Sequence, residues 1–273
     1  MSGLSSSLSR ERIELSLFRA GYVLVTILLL SPLVVVVGTS FNRSGSLVFP
    51  PQSISLKWYS AFLSDALWIK AVNNSIVVAT GTTALSTAIG LLAALGVEYT
   101  QNRWVTLIVG VGMIPLLVPP IVLGVSLLIY LSMFGLQQSY PAIVIAHSLW
   151  ATPIVFFVMR SVFARFDWAL WEAGLDLGAS PSRAFRHVML PSIKTGVLVS
   201  ALLAFIVSLQ EFVMALFLSG FGTRTVPVYA WLQMRNNLDP VISVVSTLLI
   251  LVSVLAIAVA ASLSSVERLA EYL

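Results

Sequence analysis

Long apolar stretches, each closed by charged or turn-forming residues, recur along the whole chain. Residues 21–41, 71–97 and 240–266 contain no Asp, Glu, Lys or Arg. A helix needs about 20 apolar residues to cross the hydrocarbon core of a bilayer, so each of these stretches is long enough. Reading every apolar run between charge and turn signals predicts six spans, at about 21–41, 71–97, 104–134, 140–159, 195–219 and 240–262. The third is interrupted by Pro115 and by Pro119-Pro120. Splitting it would leave pieces too short to span, so one long kinked helix is expected there. Between the first two spans, Pro50-Pro51 and an amphipathic stretch around Leu56 to Leu67 predict a short helix on the membrane surface.

Composition strengthens this picture. The 273 residues are 58% hydrophobic and only 10% charged, against roughly 25% charged in soluble domains. A soluble globule is excluded. The net charge of +4 and pI near 9.6 do not point to nucleic acid, because Lys and Arg form no dense run and instead flank the apolar segments. Ten of the fifteen basic residues (Arg10, Arg12, Arg19, Arg103, Arg160, Arg165, Arg183, Arg186, Lys194 and Arg268) fall on one side, with Arg43, Lys57, Lys70, Arg224 and Arg235 on the other. The positive-inside bias then puts both termini in the cytoplasm. Arg10, Arg12 and Arg19 resemble the start of a signal peptide, but the apolar run after them is too long and lacks a small-residue cleavage site. It is expected to remain as the first span, preceded by a tail at 1–20. A second cytoplasmic tail is expected at 267–273. With no cysteine, thiolate metal sites and cysteine nucleophiles are excluded, and His147 and His187 have no metal-ligand spacing. No metal is expected.

The densest charge lies in the connection 160–194, between spans four and five. It holds Glu172-Ala173-Gly174-Leu175-Asp176-Leu177-Gly178, then nine residues, then Val188-Met189-Leu190-Pro191. Gly178 suits the left-handed residue that stops a helix. Ser180 and Pro181 suit the cap and first turn of a second one, and Pro191 marks the entry to span five. A helical hairpin held on the cytoplasmic face between two spans reads as a docking element.

These residues resemble the E-A-A-x-x-x-G-x(9)-I-x-L-P signature of permease subunits of binding-protein-dependent ABC importers, with Gly174 for the second Ala and Val188 for Ile. The stretch from Ile114 to Gly124, the pair Ala146-His147, the turn Leu177 to Ser180, and the runs Phe205 to Phe212 and Phe217 to Gly220 resemble the spermidine/putrescine branch. A Ser-Phe-Asp-Glu run of that branch reads Ser208-Leu209-Gln210-Glu211 here. The resemblance implies an all-α membrane protein with six transmembrane helices in the type I importer fold, with cytoplasmic coupling helices between spans four and five. It implies an ATPase-coupling role for Glu172, Ala173, Gly174, Asp176, Gly178, Arg183, Leu190 and Pro191. It also implies a bacterial or archaeal cytoplasmic membrane, an ABC ATPase dimer, a second permease copy or homologue, an extracytoplasmic substrate-binding protein and a small polar, amine-bearing solute. The chain itself has no G-x-x-x-x-G-K-[ST] phosphate loop. ATP and magnesium are therefore expected in the partner, and no enzymatic activity or cofactor in this chain.

Glu211 is the one acid within an otherwise uncharged apolar run, and an intramembrane acid faces a cavity or a partner. Read as a continuous helix, it shares a face with Ser200, Ala204, Ser208, Ala215 and Ser219. Such a small-residue stripe suits the wall of a solute pathway or tight helix packing across the subunit interface. Candidate pathway residues are Glu211, Gln210, Ser208, Trp150 and Tyr130, the aromatics through stacking on a cation or as interfacial anchors. His147 is expected to bond a neighbouring helix where Pro153 frees a carbonyl. The alternative function is a proton-coupled transporter or channel using Glu211 as relay.

Overall fold

The computed structural model describes the backbone of residues 2–236 and 240–270, with side chains described for 15–235 and 240–263. The side chains of Arg10, Arg12 and Arg268, and residues 271–273 of the expected tail, lie outside the described residues. The described residues are helical apart from turns and one isolated antiparallel bridge, Asn42 to Ile54. Five helical stretches are long and apolar enough to cross a membrane: Leu15–Ser40, Ala66–Thr100, Tyr140–Phe163, Pro181–Gln210 and Val241–Leu263.

The chain divides into two compact units. In the first, Met1–Ser64 with Gln233–Ile250, helix α1 (Ser2–Ser40) runs without interruption through the stretch expected as a tail. Its end meets the start of α12 (Val241–Ala270) through Thr39 Oγ1, which donates to Ser243 Oγ at 3.1 Å. The following loop closes on itself: Trp58 Nε1 donates to the Asn42 carbonyl at 2.8 Å, and Asn42 Nδ2 donates to Ser46 and Val48. Trp58 belongs to α2 (Lys57–Ser64), the short helix that the amphipathic pattern predicts.

The second unit, Asp65–Leu232 with Leu251–Leu273, is built on α3 (Ala66–Thr100), α6 (Tyr140–Phe163) and α9 (Leu190–Gln210), which pack on one another more extensively than any other elements. Small residues make this possible. Ser75, Ala79, Thr82, Ser86, Gly90 and Ala94 form one buried stripe on α3, facing Ala142, Ala146, Ala151 and Val155 of α6 and Ser200, Ala204 and Ser208 of α9. In lipid, where apolar burial drives no helix association, such close backbone approach supplies the van der Waals contact that does. At Gly90 an added Cβ would sit 2.7 Å from Val155 Cγ1 and 3.0 Å from the Phe156 backbone nitrogen.

The expected third span is not one kinked helix. It consists of α4 (Arg103–Gly112), a 3-10 turn (Ile114–Leu117) and α5 (Pro120–Ser132). A residue before proline is pushed out of the helical region, and here the restriction acts twice in succession. Val118 before Pro119 adopts ψ 132°, and Pro119 before Pro120 adopts ψ 135°. Two consecutive extended residues break a helix where one proline would bend it. Pro120 then opens α5, where a missing N–H costs nothing. Tyr140 at the start of α6 bonds Asn74 near the start of α3, while Tyr99 at the end of α3 stacks near Trp168 and Trp171 beyond α6. Residues 101–139 therefore lead from one end of α3 back to the other.

The expected fifth span, 195–219, is divided too. α9 stops at Gln210, Glu211 is extended (φ −67°, ψ 124°), and a short α10 (Val213–Leu218) follows. At its other end α9 is joined without a break to the hairpin described next.

Candidate functional site

The hairpin begins with α7 (Trp168–Asp176), capped by Asp167, whose Oδ1 accepts from the Ala169 N–H at 3.0 Å. Its inner face carries Trp171, which is buried, and Trp168, which meets Phe166 edge-on at 5.4 Å and Tyr99 at 6.1 Å. Trp171 joins Ala94 and Val97 of α3, Phe163 of α6, and Ala184, Met189 and Ile193 in one apolar cluster. The hairpin is thus fused to the ends of the membrane helices rather than hung from them. A cleft of about 310 Å³ remains beside it, lined by Glu98, Tyr99, Gln101, Trp168, Trp171, Glu172 and Leu175. On its rim Arg160 donates through Nε to Glu98 at 2.9 Å.

Gly178 stops α7 as its residue type predicts. Its φ is +84°, the Ala179 N–H donates to the Gly174 carbonyl at 3.1 Å, and the Gly178 N–H donates to the Leu175 carbonyl at 2.9 Å. This pair of bonds satisfies carbonyls that the helix end would otherwise orphan. α8 (Pro181–Ala184) follows. Ser180 caps it through its carbonyl, which accepts from Arg183 and Ala184, while its hydroxyl lies by Ser182 instead. Pro191 does not start a separate span: α8, a π-helical turn (Phe185–Met189) and α9 form one rod. A proline ring crowds the carbonyl four residues before it. That carbonyl belongs to His187, inside the widened turn, and a π bulge is the local form that makes room.

Among the expected coupling residues, Glu172, Ala173, Asp176, Gly178, Arg183 and Pro191 are exposed, and Gly174 and Leu190 are half-buried. Gly174 faces the returning helix of the hairpin, where an added Cβ would meet Val188 at 3.5 Å and Ala184 at 3.7 Å. Two exposed residues were missed in the sequence. Leu170 is 49% exposed and Leu177 is 89% exposed. With Ala173 they occupy positions i, i+3 and i+7, an apolar stripe that runs along the outer face of α7 onto Leu177, the residue capping its end, and is edged by Glu172 and Asp176. The signal was available in that spacing, but apolar residues in a membrane protein read as lipid-facing by default.

Glu211 occupies the second candidate site. It is buried, and its carboxylate turns back on its own chain: Oε1 accepts from the Met214 N–H at 2.9 Å and Oε2 from the Ala215 N–H at 3.1 Å. These are orphan donors of the first turn of α10. His147 is also buried. Its Nδ1 lies 2.8 Å from Ser208 Oγ, and its Nε2 lies 3.2 Å from Glu211 Oε2 but off the hydrogen-bond direction. His147 therefore bonds a neighbouring helix as expected, but through side chains, not through a carbonyl freed by Pro153. The continuous small-residue face through Glu211 is corrected as well: Ser200, Ala204 and Ser208 lie on α9, whereas Ala215 lies on α10, beyond the break. Gln210 is exposed and donates to Ser253 Oγ at 2.8 Å. Trp150 is half-buried against the cluster that holds Met214 and Ala215. Tyr130 is 57% exposed on α5 and meets Phe134 edge-on at 5.2 Å. Among the described residues no group of three or more His, Asp or Glu side chains is arranged to hold a metal ion.

Residues 86–271 match the family described as "Binding-protein-dependent transport system inner membrane component". The putrescine transport system permease protein PotI of Escherichia coli (strain K12) is 31% identical over 229 residues, covering 81% of each chain. The spermidine/putrescine transport system permease protein PotC of the same strain is 25% identical over 226 residues, covering 83% of this chain and 85% of that protein. The fold is shared with a bacterial ABC transporter involved in the import of the acidic polysaccharide alginate (TM-score 0.68, 16% identity, 92% of this chain and 96% of that chain). The chain belongs to the binding-protein-dependent transport system inner membrane components, as a multi-pass permease subunit with the ABC importer fold.

Proposed function

We propose that this permease works with a cytoplasmic ABC ATPase dimer, a second permease subunit and an extracytoplasmic binding protein to import a small amine-bearing solute of the polyamine class, by alternating access. The observation that carries the reading is the outer face of α7. An exposed Leu170–Ala173–Leu177 stripe edged by Glu172 and Asp176, on a hairpin fused to the membrane helices, suits insertion into a groove of a partner. ATP binds and is hydrolysed in that partner, with magnesium; this subunit does no covalent chemistry. Both termini and the hairpin face the cytoplasm, in keeping with the distribution of Lys and Arg. The polyamine class is supported by the relatives named for putrescine and spermidine.

In this mechanism closure of the ATPase dimer displaces α7. The rod Pro181–Gln210, about 45 Å long at 1.5 Å per residue, carries the displacement to the break at Glu211. There α10 and the rod change their mutual angle, and the solute passes beside Gln210, Ser208 and Trp150. Tyr130, edge-on to Phe134 at an exposed site, is assigned to the lipid interface.

The test is retention of the ATPase. Leu177→Asp places a charge on the stripe, and Gly178→Val forces a branched residue into a left-handed conformation. Each is expected to lose most of the co-purifying ATPase and of the uptake while the permease remains inserted. Full retention and full uptake in both would refute docking through α7. The proton-coupled alternative draws on the buried His147–Glu211 contact. Uptake that survives ATP depletion, with the proton gradient intact, would establish it; abolished uptake is expected.

A further inference from the structure

At the end of α3 remote from the hairpin, Phe221 projects from the loop between α10 and α11 (Val226–Asn236) and is 67% exposed. One exposed aromatic is unremarkable on any surface. What surrounds this one is not. Lys70 Nζ lies 5.8 Å and the Arg224 guanidinium 5.0 Å from the centre of its ring. The two cations and the ring border a notch of about 20 Å³, completed by Leu67, Ala71, Asn74 and Tyr229. That is room for one water-sized group. Among the described residues neither cation has an ion-pair partner, so the notch is a place for an anionic oxygen supplied from outside.

The loop is held rigidly. Asn74, which is buried, donates both of its amide hydrogens, to the Gly222 carbonyl at 3.1 Å and the Arg224 carbonyl at 2.9 Å, and accepts from Tyr140 OH at 2.7 Å. Thr223 Oγ1 accepts from the Gly220 N–H and donates to the Gln138 carbonyl, while the Val226 N–H donates to Ser75 Oγ at 2.8 Å. Gly220 lies so close to Gln138 that an added Cβ would fall 2.7 Å from the Gln138 Cβ. Connecting loops are ordinarily mobile and weakly held. This one is held by five hydrogen bonds, two of them buried and three partly buried, which fix the backbone that carries Phe221 and Arg224 beside Lys70 of α3; that is the preorganisation that a recognition surface gains from.

Location selects the partner. From Lys70 to Tyr99, α3 rises about 44 Å at 1.5 Å per residue, more than the roughly 30 Å hydrocarbon core. The Phe221 loop and the hairpin therefore emerge on opposite faces of the bilayer. We propose, resting on the importer reading above, that Phe221 with Lys70 and Arg224 is a docking knob for the extracytoplasmic binding protein. The ring enters an apolar recess of that protein, and a single oxygen of one of its carboxylates enters the notch bordered by the two cations.

The experiment uses the whole importer in nanodiscs of zwitterionic lipid, with its purified binding protein titrated in and ATP hydrolysis as readout. Stimulation of the unsubstituted importer is the control for the importer reading; its absence would overturn that reading and this proposal with it. Given stimulation, Phe221→Ala and the pair Lys70→Glu with Arg224→Glu are each expected to raise the half-saturating binding-protein concentration at least tenfold, leaving the plateau rate within about twofold. The unsubstituted importer is expected to need more binding protein as salt rises, and the charge-reversed pair to lose that dependence. An unchanged half-saturation in both variants overturns the proposal while the importer reading stands. If half-saturation is unchanged in zwitterionic nanodiscs and the same titration in nanodiscs containing anionic lipid shows that the variants have lost only an effect of that lipid, the knob serves the bilayer and the proposal is equally overturned.

Discussion

A carboxylate taken out of water must be met by donors, and Glu211 finds them three and four residues ahead in its own chain. Two N–H groups of α10 are satisfied by its two oxygens, and His147 and Ser208 complete a buried polar cluster across α6 and α9. Removing an acceptor from a buried donor costs about 1–3 kcal/mol. Glu211→Ala strands both donors and is expected to lower the thermal stability of the purified complex markedly. Glu211→Gln keeps one acceptor and is expected to lower it less. If the carboxylate serves the break and not the solute, uptake per intact complex in Glu211→Gln stays within about threefold of the unsubstituted protein. A tenfold loss at unchanged stability would instead assign its charge to the solute's path, an energetic difference of about 1.4 kcal/mol in the limiting step. Uptake normalised to intact complex, beside a melting curve, separates the two.

At the scale of elements, two glycines on helices predict opposite outcomes. Gly90 lets α3 touch the backbone of α6, and Gly90→Ala is expected to cost about 1–3 kcal/mol of stability through overpacking. Gly174 has room for a methyl group at ordinary contact distance, and in a helix interior Ala is favoured over Gly by up to about 1 kcal/mol. Gly174→Ala is expected to raise or preserve stability with the ATPase retained, as differential scanning and co-purification would register. The four long spans other than the broken fifth, the short helix α2 and the hairpin turn at Gly178 were legible because each rests on a local rule: length of apolar run, amphipathic spacing, or a residue that tolerates positive φ. The two breaks were harder for different reasons. At Pro119-Pro120 the signal was present, but a length argument about spanning outweighed the backbone restriction that two successive prolines impose. At Glu211 nothing local announces a break, because Leu209 to Met214 contains neither Gly nor Pro. Beside the local bonds from the Met214 and Ala215 N–H groups to the Glu211 carboxylate, the break holds a histidine from α6 and a serine from α9, a tertiary juxtaposition that local rules do not reveal. Leu177 escaped notice because its exposure, not its hydrophobicity, sets it apart from the other leucines of the chain.

For the molecule as a whole, the decisive quantity is which ends of the helices share a face of the membrane. Within the second unit, Lys70, Asn74, Tyr140 and the Phe221 loop gather at one end, and Tyr99, Phe163, Trp171 and the hairpin gather at the other. Each of α3 and α6 connects the two groups, and so do the rod Pro181–Gln210 continued by α10 and the broken segment 101–139. A chain without cysteine allows this to be tested directly, since any single cysteine introduced is the only one to label. Leu177 at 89% and Phe221 at 67% exposure are accessible to a reagent, and neither side chain holds up the core. With a membrane-impermeant maleimide applied to intact cells, Phe221→Cys is expected to label at once, whereas Leu177→Cys is expected to label only after permeabilisation. The inverse pattern would keep the fold but turn the permease over, placing the hairpin outside and leaving no cytoplasmic ATPase for it to meet. Labelling of both from the outside would contradict the fold itself, because α3 is too long for its two ends to emerge on one side of a bilayer it crosses once.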